Sequence, residues 1–145
     1  MAVTGLLNTR LVLFAKERTE NITETDYAEL VTIMNLLKNN KYKNKPTLVD
    51  GIRFSSAKEA ARYAVLKLLE RGKVISDLQL QVSFELAPSV IVAGRKRPPL
   101  RYICDFTYFE AGKLVVEDVK GVLTDVYIIK RHLLKCVHNI DILET

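Results

Sequence analysis

Residues 101–121 read RYICDFTYFEAGKLVVEDVKG, and this stretch decides how the rest of the chain is read. Arg101 to Phe109 and Lys113 to Lys120 are rich in β-branched and aromatic residues, and Glu110-Ala111-Gly112 joins them by a short turn containing Gly. That pattern predicts a hairpin. Asp105 sits inside the apolar run Tyr102-Ile103-Cys104-Asp105-Phe106, and Glu117-Asp118 follow Val115-Val116. A carboxylate buried in a strand is costly unless a metal ion or a cationic side chain accompanies it. Lys120 supplies one such partner. Side chains alternate along a strand, so Asp118 and Lys120 share one face while Glu117 and Val119 take the other. With Asp105 on the neighbouring strand, two carboxylates and an ammonium converge at one edge of the sheet. Hard oxygen ligands in that arrangement suit Mg2+, which is held by one or two carboxylates plus substrate phosphate. A structural Asp–Lys bridge across the hairpin is the competing reading of the same residues.

Upstream, Leu78, Leu80, Val82, Phe84 and Leu86 alternate with Gln79, Gln81, Ser83 and Glu85, the period of one half-buried strand. Before it, Ser56 is a good N-cap for a helix that ends at Arg71, with Gly72 as the left-handed residue after it. Ala57, Ala60, Ala61, Ala64, Val65 and Leu68 give that helix a small-residue face. Tyr27, Leu30, Val31, Met34 and Leu37 recur at helical spacing and predict an earlier helix from Thr25 to about Lys38, followed by a polar connector over 39–46. Downstream, Thr124 can cap a helix to about His138 whose inner face would be Val126, Ile129, Leu133 and Cys136 or Val137, and 140–143 would form a last strand. Residues 11–16 could be a short strand or an arm. The expected fold class is α/β in the mixed α+β sense, a central mixed sheet with an antiparallel meander flanked by helices. The expected division is an N-terminal arm or extension over 1–40 and one domain over 41–145.

Twenty-two Lys plus Arg against 17 Asp plus Glu leave a net charge of +5 over 145 residues, unevenly spread. From Lys38 to Lys73 there are ten basic residues against Asp50, Glu59 and Glu70, a net of +7, so the remainder sums to −2. A second cluster, Arg95-Lys96-Arg97 followed by Arg101, falls on a segment marked by Gly and Pro and reads as a loop. Such clusters are the footprint of phosphate binding, against the alternative of a solvated lysine-rich surface. The 48% hydrophobic share is that of an ordinary globular chain. No apolar run reaches the ~18–20 residues needed to span a bilayer. No basic n-region precedes the first apolar stretch, so the expected location is the cytoplasm, with no membrane. Cys104 and Cys136 have no zinc-like spacing with either histidine and read as buried thiols.

Asp105, then Glu117-Asp118-Val119-Lys120-Gly121, resembles the PD-(D/E)XK nuclease signature, with Asp105 in the first acidic position and Asp118-x-Lys120 as the second half. Phe54-Ser55-Ser56-Ala57-Lys58-Glu59-Ala60-Ala61-Arg62-Tyr63 looks like the N-terminal helix of the same superfamily. More closely, Lys43-Asn44-Lys45, Asp50 to Phe54, Ser56, Glu59, Tyr63, Gln81, Asp105-Phe106, Glu117 to Gly121 and Thr124 are similar to a family of small phage and prophage proteins, over roughly residues 40–145. Two departures stand out: Cys104 precedes Asp105 where Pro is common, and Asp118 stands where Glu is more usual. Glu117 leaves the register open, and Asp118 is preferred because it shares a face with Lys120.

The resemblance implies a restriction-endonuclease-like core and a Mg2+-dependent DNA endonuclease, with Mn2+ able to substitute. Glu59, Asp105 and Asp118 would be metal ligands and, with Lys120, the catalytic set; Gln81, Glu117 and Lys130 would be auxiliary. Lys41, Lys43, Lys45, Arg53 and Arg62 would track the DNA backbone. The expected partners are DNA, branched DNA included, and a second copy of the chain, since paired incision needs two sites. A Holliday-junction resolvase encoded by a phage and acting in DNA recombination inside a bacterial host is the leading subtype. The alternatives are a non-catalytic DNA-binding accessory of phage replication, recombination or packaging, and an unrelated protein with a chance motif. Ser56 and Glu59 also have capping-box spacing, so the cap and the metal compete for the same carboxylate.

Overall fold

The computed structural model describes residues 23–26, 28, 31, 46–120 and 122–145. The chain divides into two compact units, Met1–Ser76 and Asp77–Thr145. Residues 1–22 and 32–45, which include most of the expected arm over 1–40 and also Lys41, Lys43 and Lys45, lie outside the described ones.

In the first unit, residues 24–26, 28 and 31 are helical. Their start is a capping box: the Asp26 N–H donates to Thr23 Oγ1 (3.3 Å) and the Thr23 N–H to Asp26 Oδ2 (3.1 Å). Next come β1 (Thr47–Val49), β2 (Ile52–Phe54) and α1 (Ala57–Arg71). β1 and β2 form an antiparallel hairpin in which Val49 faces Ile52. Asp50 and Gly51, at φ 52° and 76°, make a two-residue turn with both central residues left-handed, the geometry that matches strand twist. No strand is expected from the sequence over 47–54, so this pair is missed, although Asp-Gly is itself a hairpin signal. The Ser56 cap and the end of α1 at Arg71 are as expected; Ala60, Tyr63 and Ala64 are buried, and the Tyr63 ring lies 5.0 Å from that of Phe54.

Gly72 departs from expectation. It has φ −73°, and Lys73 takes the left-handed conformation at φ 57°. The Gly72 N–H still bonds the Leu68 carbonyl (2.9 Å), so the reversal comes one residue later. The Lys73 N–H then bonds Glu70 O (3.0 Å) and the Val74 N–H bonds Leu69 O (2.9 Å), a Schellman closure with Lys in the usual Gly position.

The remaining elements are β3 (Ile75–Leu80), β4 (Ser83–Ala87), β5 (Val90–Val92), β6 (Arg95–Arg97), β7 (Leu100–Ile103), β8 (Phe106–Glu110), β9 (Lys113–Asp118), α2 (Asp125–His138) and β10 (Ile142–Glu144). Four strands form a sheet in the order β10-β9-β8-β3, with β8 antiparallel to β9 and β10 parallel to it. The fold is therefore mixed α+β, and α2 is the crossover that a parallel β9–β10 pair requires. β4 pairs with β7, and β5 with β6, as separate two-stranded ribbons.

Two expected strands are each broken in two. The run 78–86 is interrupted at Gln81, which has φ 53°, and the run 101–109 is interrupted between Ile103 and Phe106. The breaks face each other: the Gln81 N–H donates to Asp105 O and the Cys104 N–H to Val82 O, both at 3.0 Å. Residues 78–86 keep their alternation of burial through the break, which is why the pattern reads as one strand. Arg95-Lys96-Arg97 is likewise a strand rather than a loop, reached through a turn at Ala93 and Gly94 (φ 50° and 71°). Pro88, Pro98 and Pro99 suggested a loop, whereas they interrupt the ladder without ending the hairpin.

The core of the second unit is Leu86, Tyr102, Cys104, Val116, Tyr127 and Leu134. The inner face of α2 is thus set by Tyr127 and Leu134, with Leu133 beside them. Val126, Ile129 and Val137, expected inside, are exposed, and so is Cys136. A helix with apolar residues on two stripes leaves its rotation to the surfaces it meets. Among the described residues no helix is long and apolar enough to cross a membrane.

Ala111 and Gly112 close the β8–β9 hairpin at φ 49° and 76°. Asn adopts the left-handed region more readily than Ala. Ala111→Asn is therefore expected to raise the unfolding free energy by about 0.5–1 kcal/mol, measured by urea denaturation; an unchanged or lower midpoint would contradict that account of the turn.

Candidate functional site

Asp118 ends β9, and its carboxylate is 1% exposed. The Tyr102 hydroxyl from β7 donates to its Oδ2, and the Lys120 ammonium stands 2.7 Å from Oδ1. Oδ1 has that charge partner but no donor aligned on it for a hydrogen bond. Lys120 also lies 4.6 Å above the Tyr127 ring on α2, a cation–π contact that steers the ammonium toward the carboxylate. The Tyr127 hydroxyl donates to Glu144 Oε1 (2.7 Å), and Arg131 pairs with the same carboxylate. Burial, with the adjacent Asp118 carboxylate, pushes the Tyr102 hydroxyl well above the ordinary tyrosine range. Burial and then the Glu144 bond push Tyr127 the same way.

Asp105 lies in the break between β7 and β8. Phe106 is paired with Glu117, so the next step of that register sets Asp105 opposite Asp118. The Val119 N–H donates to Asp105 Oδ2 (2.8 Å), and the Gln81 side-chain amide donates to Oδ1 (3.3 Å). The fold thus brings Asp105, Asp118, Lys120 and Gln81 to one corner where β8 begins and β9 ends. Cys104, immediately before Asp105, is fully buried; burial pushes its thiol up to about 11 from 9.0, so at neutral pH it is a packed apolar group.

Glu117 takes the opposite face of β9 and is fully buried. Tyr108 Oη donates to its Oε2 (2.8 Å) and Thr145 Oγ1 to its Oε1 (3.0 Å). Two neighbouring acids thus have different environments: Glu117 is held by hydroxyls, Asp118 faces an ammonium. Lys130 is half-buried on α2.

Glu59, in the first unit, is the third residue of α1. Its N–H donates to Ser56 Oγ (3.1 Å), while its carboxylate accepts from the Ser55 N–H (3.3 Å), the Ser55 hydroxyl and the Ser56 hydroxyl (3.3 Å). The box is closed one residue earlier than the usual form, through Ser55. In the same unit Arg53 is exposed on β2, and Arg62 is half-buried on α1.

Among the described residues no group of three or more His, Cys, Asp or Glu side chains is arranged to hold a metal ion. A surface groove of about 430 Å³ runs along α2 and β10, lined among others by Ile128, His132, Lys135 and Ile142; Asp105, Asp118 and Lys120 are not part of its wall. Sequence reasoning missed Tyr102 and Tyr127, which hold Asp118 and Lys120. The available signal for Tyr102 was its polar hydroxyl in an apolar run beside an equally misplaced Asp105.

The chain matches over residues 39–142 the model of a family described as a protein of unknown function, DUF1064, and it belongs to that family. No curated protein and no solved structure gives a significant match.

Tyr102→Phe would leave Oδ2 of the buried Asp118 without its donor and is expected to cost about 1–3 kcal/mol at pH 7, read by chemical denaturation. Because the folded-state pKa of Tyr102 is raised, its contribution to stability is complete below the unfolded value of ~10 and is lost as pH rises above it. The parent should therefore lose stability above that pH more steeply than Tyr102→Phe; parallel profiles would refute this. For Glu59, Glu59→Ala should lower stability by about 1 kcal/mol, and Glu59→Gln by less, since the amide oxygen still accepts.

Proposed function

We propose that the chain is a metal-dependent endonuclease of the PD-(D/E)XK kind, hydrolysing phosphodiester bonds in DNA. The observation that carries the reading is the corner at Asp105 and Asp118. Asp105, just before β8, and Asp118, at the end of β9, share one end of the sheet, and the ammonium two residues beyond the second acid lies 2.7 Å from it. The spacing that suggested the superfamily in sequence is the spacing that brings these groups together.

The donor set suits a hard cation. Asp118 Oδ1 is a buried anionic oxygen with no donor aligned on it, and Asp105 is opposite in register. Asp105 and Asp118 would hold Mg2+ or Mn2+, with substrate phosphate and water completing the shell. The ion, when bound, supplies Lewis acidity toward the scissile phosphate and lowers the pKa of an attacking water. The chain's own residues do the rest. Tyr102 and Lys120 hold the Asp118 carboxylate in place, the first donating to Oδ2 and the second standing 2.7 Å from Oδ1. Lys120, half-buried over Tyr127, offers a fixed positive charge where negative charge grows on the phosphate in the transition state. Gln81 and the Val119 N–H orient Asp105. Glu117, enclosed by Tyr108 and Thr145, shapes the strand rather than the reaction. Glu59, a cap in its own unit, belongs to the catalytic set only if its charge matters to cleavage. Two copies acting together would cut both strands, and a branched or four-way junction is the substrate that most requires paired incision.

The test is cleavage of supercoiled, linear and four-way-junction DNA. Nicking is expected with Mg2+ or Mn2+, and none with excess chelator or with Ca2+ alone. Asp105→Asn, Asp118→Asn and Lys120→Ala should each reduce the rate by about 10²-fold or more while DNA is still bound; Glu117→Gln should cut within several-fold of the parent. Cleavage in chelator, or an active Asp118→Asn, would overturn the proposal. Glu59→Gln cutting at the parental rate would assign Glu59 to the cap alone.

A further inference from the structure

The corner at Asp105 is also the root of a projecting arm. β4 and β7 leave it as an antiparallel pair from Ser83 opposite Ile103 to Ala87 opposite Leu100, and β5 and β6 continue outward to the Ala93-Gly94 turn. Pro88-Ser89 on one side and Pro98-Pro99 on the other separate the two ladders, because Pro has no N–H to donate. At the base, the Gln81–Asp105 and Val82–Cys104 backbone bonds tie the arm to the candidate site.

The outer ribbon has no role in the core. Every residue from Val90 to Arg97 is exposed, with Ile91 at 77%. From Leu86 to Cys104 the chain carries four basic residues and no acidic one. Arg101 stands opposite Glu85 across β4–β7 and is locally balanced, whereas Arg95, Lys96 and Arg97 have only Val92, Ile91 and Val90 opposite them. The ribbon therefore holds three cations with no counter-charge of its own. Arg95 and Arg97 share one face, and Lys96 projects from the other.

We infer that the β5–β6 ribbon is a duplex-DNA contact arm that grips the phosphate backbone beside the cleaved position. The inference rests on the DNA reading of the Asp105–Asp118 corner and adds to it a surface and a distance. A two-stranded β-ribbon fits the major groove of B-DNA, where its flanking arginines reach the phosphates on the rim. Arg97 is eight residues from Asp105, so at ~3.3 Å per residue it lies no more than ~26 Å away along the arm. That length corresponds to roughly eight base pairs at ~3.4 Å each. Arg97 thus reaches flanking DNA up to about that far from the scissile phosphate.

The test compares the full chain with R95Q/K96Q/R97Q, with R95K/R97K and with K113Q, an exposed cation at the start of β9, the far end from Asp118. Binding to duplex DNA is measured against salt. The triple variant should lose up to about 2.7 from the log–log slope, at ~0.9 per phosphate contact, with R95K/R97K and K113Q close to the parent. The parent should bind duplexes with 15-base-pair flanks several-fold more tightly than those with 5-base-pair flanks, and the triple variant should lose that preference. Circular dichroism should show the same melting in all variants, since the substituted side chains are exposed. A parent that binds DNA with the same salt slope and flank preference as the triple variant overturns the arm and leaves the nuclease reading standing. A changed sedimentation mass in the triple variant with unchanged DNA binding overturns it in favour of a contact between copies. A parent that does not bind DNA overturns both.

Discussion

An aspartate taken out of water at the end of a strand is the constraint around which the second unit is arranged. A buried carboxylate is tolerable only with partners, and Asp118 draws them from three places: Tyr102 on β7, Lys120 two residues along its own chain, and Tyr127 on α2, whose ring carries the Lys120 ammonium. Those partners tie the β4–β7 ribbon and the crossover helix to the end of β9, beyond what apolar packing among Leu86, Val116 and Leu134 requires. Removing Tyr102 or Lys120 leaves one oxygen of a buried carboxylate without its partner. A buried polar cluster of this kind is a poor source of net stability and a strong determinant of geometry.

The same strand shows how one residue of register separates structure from chemistry. Glu117 and Asp118 are adjacent and both buried, yet alternation sends them to opposite faces. On one face, two hydroxyls satisfy Glu117. On the other, Asp118 keeps an oxygen with a charge partner and no aligned donor, beside Asp105. The difference between the acids lies in what the neighbouring strands and helix present to each face.

The paired breaks at Gln81 and Asp105 have a related effect. An uninterrupted strand from Leu78 to Leu86 would make β4 and β7 part of the same sheet as β3 and β8, whereas they form a separate ladder. The left-handed Gln81 ends the ladder where Asp105 must turn toward Val119, so the arm and the acid are positioned by the same two residues. Left-handed backbone at a non-glycine residue is unfavourable, and here the facing backbone hydrogen bonds hold it.

The helix caps and the Asp118–Lys120 pairing were legible in the sequence because each depends on residues within a few positions of one another. Ser56 and Thr124 cap the helices that follow them, and a two-residue spacing along β9 puts Asp118 and Lys120 on one side whatever lies beyond. The Asp50-Gly51 hairpin was equally local and could have been read. Other features depend on which surfaces meet. The apolar pattern of α2 allowed Val126 and Ile129 inside, and the sheet chose Tyr127 and Leu134. Alternation ran unbroken through Gln81, so only pairing with Asp105 revealed the break. The tyrosines that hold Asp118 and Lys120 are distant in sequence, at 102 and 127, and no local pattern links a hydroxyl or a ring to a charge it meets only after folding. Spacing along the chain therefore determined which groups face together, and tertiary packing decided which of them are buried, paired and available for chemistry, because burial is a property of two surfaces and not of one.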